Sequence, residues 1–292
     1  MSMTPNRSAL YMPGSNARAL EKAKTLAADV VILDLEDAVA PEQKATARKL
    51  VTEAVAAGGF GTRQVVIRVN ALDSPWGLDD MAAAAAVKPN AILLPKPNTG
   101  ADIQRATDAL GRAKADASVK LWAMIETPLS ILNIADIAGT ARHAGSRLQC
   151  FVLGTNDLVK ETRTELDAQR TAALYWLSAA VTAARAHGLV VLDGVYNAFK
   201  DLDGLKRECL QGRSLGFDGK TLIHPDQIAV ANEVFAPAAE EAMWARKIIA
   251  AFDEPGNLGK GVITLEGRMV ELLHREMARR TVAIADAIAA RG

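Results

Sequence analysis

Seven ionisable side chains sit where five apolar runs stop. VVILDLED (30–37), VVIRVN (65–70), AILLPK (91–96), LWAMIE (121–126) and CFVLGTND (150–157) each end on polar or charged residues. The residues so placed are Asp34, Glu36, Asp37, Arg68, Lys96, Glu126 and Asp157. Carboxylates closing consecutive strands, such as Glu126 and Asp157, would be lateral neighbours about 5 Å apart. They would repel unless a proton or a cation lay between them. Two oxygen ligands with room left over suit Mg2+, which keeps several waters and adds substrate oxygens. Helix capping by either carboxylate is the competing reading. No HxH, HExxH or Cys/His cluster points to zinc.

Arg68 offers a bidentate fork for a carboxylate or a thioester-derived oxyanion. The alternative is a structural ion pair with Asp34, Glu36 or Asp37. Those acids could instead accept hydrogen bonds from metal-bound water. Lys96 lies between two prolines, which reads as loop scaffold rather than a Schiff-base lysine. His224, in LIHPDQI, reads as a hydrogen-bonded structural residue.

These residues need a frame that brings strand ends together. Short runs of Val, Ile and Leu separated by helical stretches are the pattern of parallel strands buried on both faces. The strands expected are 8–13, 30–35, 65–70, 91–96, 120–126, 148–155, 189–195 and 217–223. Helices are expected over 16–27, after Pro41, and over 79–87, 101–115, 130–139, 165–188 and 201–216. Eight β/α units over roughly 235 residues predict a (β/α)8 TIM barrel whose chemistry sits at the strands' C-terminal mouth. A doubly wound sheet is disfavoured because no Gly-rich phosphate turn follows the first strand. The barrel is expected over residues 1–236. Residues 237–292 read as a C-terminal helical extension, with a helix at 238–252, a turn-rich linker at 253–261, a short strand or turn, and an amphipathic helix. That extension is expected to pack on a neighbouring subunit rather than on its own barrel.

Composition narrows the function classes. The chain has 292 residues, half of them hydrophobic, with 34 basic and 34 acidic side chains. Zero net charge argues against a nucleic-acid or membrane surface, and 4% aromatics argue against a base-stacking platform. Cys150 and Cys209 fit no CxxC spacing and read as buried thiols in a reducing compartment. No signal-peptide pattern opens the chain, and MAAAAAV (81–87) is too short to span a bilayer. A cytoplasmic protein is expected.

Eight blocks in order carry a family resemblance: RSALYMPGSN, ADVVILDLEDAVAPEQKATAR, VVIRVN, ILLPKP, MIETP, LGTNDL, LDGVY and GFDGKTLIHPDQI. Together they resemble the citrate lyase β-subunit (CitE-like) branch of the HpcH/HpaI aldolase superfamily, similar to malyl-CoA and citramalyl-CoA lyases. The resemblance implies a (β/α)8 barrel in a homotrimer or hexamer that uses Mg2+ on an acyl thioester and a 2-oxo acid. It implies Glu126 and Asp157 as metal ligands, Arg68 as the substrate-binding and catalytic arginine, and Glu36 and Asp37 as active-site acids beside the metal's waters. Tyr11 and Lys22 match two of three positions that hold coenzyme A in such lyases, while Asn16 stands at the third, with Arg18 close by. The C-terminal GRMVELL is similar to the family's G-x-M-I-D-x-P, whose Asp reaches a neighbour's site. Glu271 replaces that Asp and Leu273 replaces that Pro.

The expected activity is Mg2+-dependent carbon–carbon lyase chemistry on a 3-hydroxy-acyl thioester, with coenzyme A or a carrier protein as the acyl carrier. Arg68 would face the growing negative charge, and Glu271 of a neighbouring chain would be the base. Two rivals are a non-thioester hydroxy-oxo-acid aldolase releasing pyruvate and a non-catalytic homologue that binds a 2-oxo acid or coenzyme A.

Overall fold

A computed structural model of the chain describes residues 4–291. Its contacts divide the chain into two units, one of residues 6–232 and one formed mainly by residues 233–292. The larger unit alternates β1 (Ser8–Pro13), α1 (Ala17–Ala23), β2 (Val30–Asp34), α2 (Lys44–Ala57), β3 (Gln64–Arg68), α3 (Gly77–Ala86), β4 (Ala91–Leu94) and α4 (Gly100–Arg112). It continues through β5 (Lys120–Ile125), α5 (Pro128–Leu132), α6 (Ile134–Gly139), β6 (Leu148–Leu153), α7 (Thr155–Thr162), α8 (Leu174–Ala186), β7 (Val190–Asp193), α9 (Leu202–Leu215), β8 (Gly219–Leu222) and α10 (Ile228–Phe235). The eight strands pair in sequence order, all parallel, and β8 closes on β1. The expected TIM barrel is therefore the fold.

Period-2 alternation divides the strand residues between two faces. One set, including Ala9, Ile32, Val66, Leu93, Trp122, Met124 and Val152, packs together as a buried cluster. Continuing the same alternation by one step reaches Asp34, Arg68, Glu126 and Gly154. The apolar interior thus passes directly into the polar mouth along β2, β3 and β5.

Three local expectations differ from the structure. The stretch 130–139 is two helices, because Asn133 leaves the helical region at φ −102° and ψ 15°. The helix expected from 165 begins only at Leu174. Before it, Arg170 is left-handed at φ 53°, and the Asp167 side chain accepts from both the N–H and the hydroxyl of Thr171. The third difference matters more: β6 stops at Leu153, and residues 155–162 form α7. Asp157 is therefore in the first turn of a helix, not at a strand end.

A second buried charge cluster lies at β7 and β8. Arg170 Nη1 reaches both Asp193 carboxylate oxygens at 2.8 and 2.9 Å. Lys220 Nζ joins Asp193 at 3.0 Å and Glu208 at 2.6 Å. Arg170, Asp193 and Lys220 are all buried.

The smaller unit contains α11 (Ala239–Asp253), the antiparallel pair β9 (Val262–Leu265) and β10 (Arg268–Glu271), and α12 (Leu272–Ala289). The hairpin turns at Glu266 and Gly267, both at positive φ, as a two-residue type I′ turn requires. Its own core comprises Ala245, Ile248, Ala251, Phe252, Ile263, Val270 and Ala278. Met269, Leu272, Leu273 and Met277 remain exposed. Among the described residues, no helix is long and apolar enough to cross a membrane. Cys150 and Cys209 are free and buried.

Candidate active site

The mouth is organised around Asp34. Its carboxylate accepts from Arg68 Nε at 2.7 Å and Nη2 at 2.6 Å. It also accepts from the Glu36 and Ala38 backbone N–H groups at 2.9 and 3.1 Å. One side chain therefore aims the guanidinium and folds the turn carrying Glu36 and Asp37. Strand β2 ends at Asp34, so Glu36 reaches the mouth through this turn rather than through strand alternation.

The bidentate fork of Arg68 is engaged by Asp34. Its remaining nitrogen, Nη1, lies 2.8 Å from Glu36 and 3.1 Å from Asp37. The Tyr11 ring packs 4.9 Å from the guanidinium carbon, and Met124 Sδ touches both Arg68 Nη1 and the Tyr11 hydroxyl. Tyr11 is thus in the floor of the mouth. Lys22 stands exposed on α1, outside this network. Burial pulls the Arg68 guanidinium down, but Asp34, Tyr11 and Glu36 outweigh it and hold it well above its ordinary value. Arg68 keeps its charge.

Glu126 follows β5 and is fully buried. Thr127 locks the chain beyond it by capping α5, where its hydroxyl accepts from the Ser130 N–H at 3.0 Å. One Glu126 oxygen, Oε1, accepts the Lys96 backbone N–H at 3.0 Å. The other, Oε2, is buried without a hydrogen-bond partner. Behind it stands Gly154, where a Cβ would collide with the Glu126 Cβ and lie 2.7 Å from Oε2. Burial first, then the charges of Glu36 and Asp157, push the Glu126 carboxyl up to about 8 against the pull of Lys96 and Arg68. Burial likewise raises Glu36.

Lys96 belongs to the mouth rather than to the scaffold. Its ammonium lies 3.3 Å from Glu36 and 3.7 Å from Asp157. Lys44 also contributes, donating from its buried ammonium to the Leu35 and Glu36 carbonyls at 2.9 and 2.7 Å. Five carboxylates, Asp34, Glu36, Asp37, Glu126 and Asp157, thus face three cations, Arg68, Lys96 and Lys44. The five carboxyl groups outnumber the three cations, and this surplus together with the orphaned Glu126 oxygen suits a divalent cation, which would take the place of the proton that Glu126 otherwise holds. Among the described residues, no three His, Cys, Asp or Glu side chains form a metal-holding group. An ion held by only two carboxylates would keep open positions, the condition for substrate to join it.

Asp34, Lys44, Lys96 and Gly154 have roles here that their sequence context does not by itself reveal. Two carried a signal: Lys44 is a cation in the first turn of a helix, where the dipole disfavours it, and Gly154 interrupts an apolar strand end. Glu271 lies in the smaller unit, closing β10 and preceding α12, with its N–H donating to His274 Nδ1 at 2.9 Å.

Comparisons with known proteins give the chain a family. The HpcH/HpaI aldolase/citrate lyase family pattern matches residues 7–225. The chain is 50% identical to a (3S)-malyl-CoA thioesterase of Cereibacter sphaeroides, across 99% of this chain and 97% of the relative. It is 36% identical to the citrate lyase subunit beta of Escherichia coli, across 91% and 88%. Among solved structures, CitE of Mycobacterium tuberculosis in complex with magnesium, acetoacetate and coenzyme A superposes with a TM-score of 0.71 at 28% identity, covering 97% of this chain and 99% of that one. The chain belongs to the HpcH/HpaI aldolase/citrate lyase family.

Proposed function

We propose that the protein is a Mg2+-dependent carbon–carbon lyase acting on a 3-hydroxy-acyl-coenzyme A of the malyl, citramalyl or citryl type. The observation that carries this reading is the buried, unpartnered Glu126 Oε2 in a mouth whose carboxyl groups outnumber its cations. Glu126 and Asp157 would hold the ion, which when bound supplies Lewis-acid stabilisation of developing oxygen charge. The magnesium named with the Mycobacterium tuberculosis CitE structure supports that assignment.

The chain's own residues would do the rest. Removal of the substrate's hydroxyl proton lets the electrons of the C2–C3 bond move to the carbon next to the thioester. The fragments are a 2-oxo acid and a thioester enolate, and the enolate takes up a proton to become the acyl thioester. Arg68, held charged and fixed by Asp34, presents its Nη1 edge to the negative charge that grows in this step. Glu36 and Asp37, drawn to the same nitrogen, orient it and accept hydrogen bonds from bound water. Tyr11 and Lys22 are assigned to coenzyme A. Glu271 of a second copy is assigned as the base, in a cytoplasmic homotrimer or hexamer; the exposed Leu272, Leu273 and Met277 beside it support a covered face.

The thioesterase relative at 50% identity favours a second reading, hydrolysis of the thioester with release of free coenzyme A. Mass spectrometry of products from a panel of hydroxy-acyl-coenzyme A esters, with Mg2+ and with EDTA, separates the two. A 2-oxo acid plus an acyl thioester supports the lyase. A hydroxy diacid plus free thiol supports the hydrolase, and equal turnover in EDTA sinks the metal assignment.

A further inference from the structure

Lys96 touches three of the five mouth carboxylates in two different ways. Its backbone N–H is fixed on Glu126 Oε1 at 3.0 Å. Its ammonium lies more loosely between Glu36 at 3.3 Å and Asp157 at 3.7 Å. The residue is left-handed at φ 51°, a conformation that side chains other than glycine rarely adopt, and prolines flank it. The backbone anchor and the direction of the side chain are therefore set independently of whether the ammonium has a partner.

The other two cations of the mouth are not free to move. Arg68 is clamped in two-pronged fashion by Asp34 and is buried. Lys44 is buried and spent on two carbonyls. The Lys96 side chain, by contrast, is 35% exposed and makes its carboxylate contacts beyond 3 Å. It is the cation that can leave.

We propose that Lys96 is a tethered counter-cation: it neutralises Asp157 and Glu36 in the metal-free protein and yields Asp157 to the divalent ion, thereby setting the site's metal affinity. This rests on the reading of Glu126 and Asp157 as the metal ligands. A fixed positive charge a few ångströms from a cation site repels the cation, and the repulsion is strong where water is largely excluded. The same charge relieves repulsion among the acids when no ion is bound. Removing it therefore has opposite effects on the two states: the empty protein loses stability and the loaded protein forms more readily. A purely structural lysine would show neither opposition nor gain.

The test uses the full-length Lys96→Met and Lys96→Arg proteins. Both substitutions keep the backbone N–H, and neither introduces a β-branch at the left-handed position. Mg2+ binding is measured by calorimetry, and melting temperature is measured in EDTA and in excess Mg2+. For Lys96→Met the expectation is a Kd tightened by at least about ten-fold, a lower melting temperature in EDTA, and a larger rise on adding Mg2+. Lys96→Arg, which retains the charge, is expected to stay within about three-fold of the wild-type Kd. Unchanged or weaker Mg2+ binding by Lys96→Met, with wild type binding normally, overturns the proposal and leaves the ligand assignment standing. Equal tightening in Lys96→Arg also overturns it, because the loop rather than the charge would then be responsible. Absence of Mg2+ binding in wild type and both variants defeats the ligand assignment and this proposal together. Binding that emerges only in Lys96→Met supports both.

Discussion

Two of the buried ionic clusters of the same barrel are treated differently. At β7 and β8, Arg170, Lys220, Asp193 and Glu208 form a balanced quartet of two cations and two anions. Gln211 takes up the Arg170 Nε at 2.7 Å, and the Nη2 of Arg170 alone is buried without a partner. At β2, β3 and β5 the acids outnumber the cations, two buried carboxylate oxygens, Glu36 Oε2 and Glu126 Oε2, have no hydrogen-bond partner, and both of these carboxyls are shifted upward. In the quartet, burial raises Asp193, but Lys220 and Arg170 overcome it and hold the carboxyl below its ordinary value. A balanced cluster is complete by itself. An unbalanced one is an open position for something the chain does not supply.

The comparison breaks first, and most severely, at the proposed metal ligands. Glu126→Ala and Asp157→Ala are each expected to lower Mg2+-dependent product formation by about a thousand-fold or more, with circular dichroism unchanged. Full activity of either variant in EDTA would make the mouth a second structural cluster. Arg68→Lys should lose about a hundred- to a thousand-fold in kcat/KM, because a lysine cannot keep the two-pronged contact with Asp34 and still present a nitrogen to substrate. Turnover at the wild-type level would reduce Arg68 to a packing ion pair.

The quartet should answer in stability instead. Asp193→Ala leaves two buried cations sharing Glu208 alone and is expected to cost about 3–5 kcal/mol in urea melts, a loss that Mg2+ should not specifically restore. A smaller effect follows from pH. With the Asp193 carboxyl depressed in the fold, its stabilisation is present above the unfolded value and is lost as pH falls through the folded one. The stability gap between wild type and Asp193→Asn should therefore narrow below about pH 4. A constant gap would show that the charge of Asp193 is not what the quartet depends on.

Much of this was legible from the residues because a buried parallel strand leaves a plain signature. Seven of the eight strands lie within the stretches expected for them and β3 starts one residue early at Gln64, and the alternation that fills the interior also delivers Asp34, Arg68 and Glu126 to the mouth. Asp157 was recognised as a mouth acid, but its position on α7 was not, because a two-turn helix directly after a strand has too few apolar residues to show a period of 3.6. The proline neighbours of Lys96 signal rigidity, hence scaffold, but not the left-handed φ that turns its side chain inward. The role of Asp34 depends on partners 2, 4 and 34 positions away meeting at one carboxylate, and only the last of these requires the closed fold.

The glycine behind Glu126 has a kinetic consequence. Gly154 leaves just enough room for a fully buried side chain whose Oε1 is already held by the Lys96 N–H, so the glutamate has little rotameric freedom left to lose, and capture of an ion at the proposed site need not wait for that side chain to order. Any slow step in loading the site would then fall on the opposite ligand, where an ammonium must first step aside.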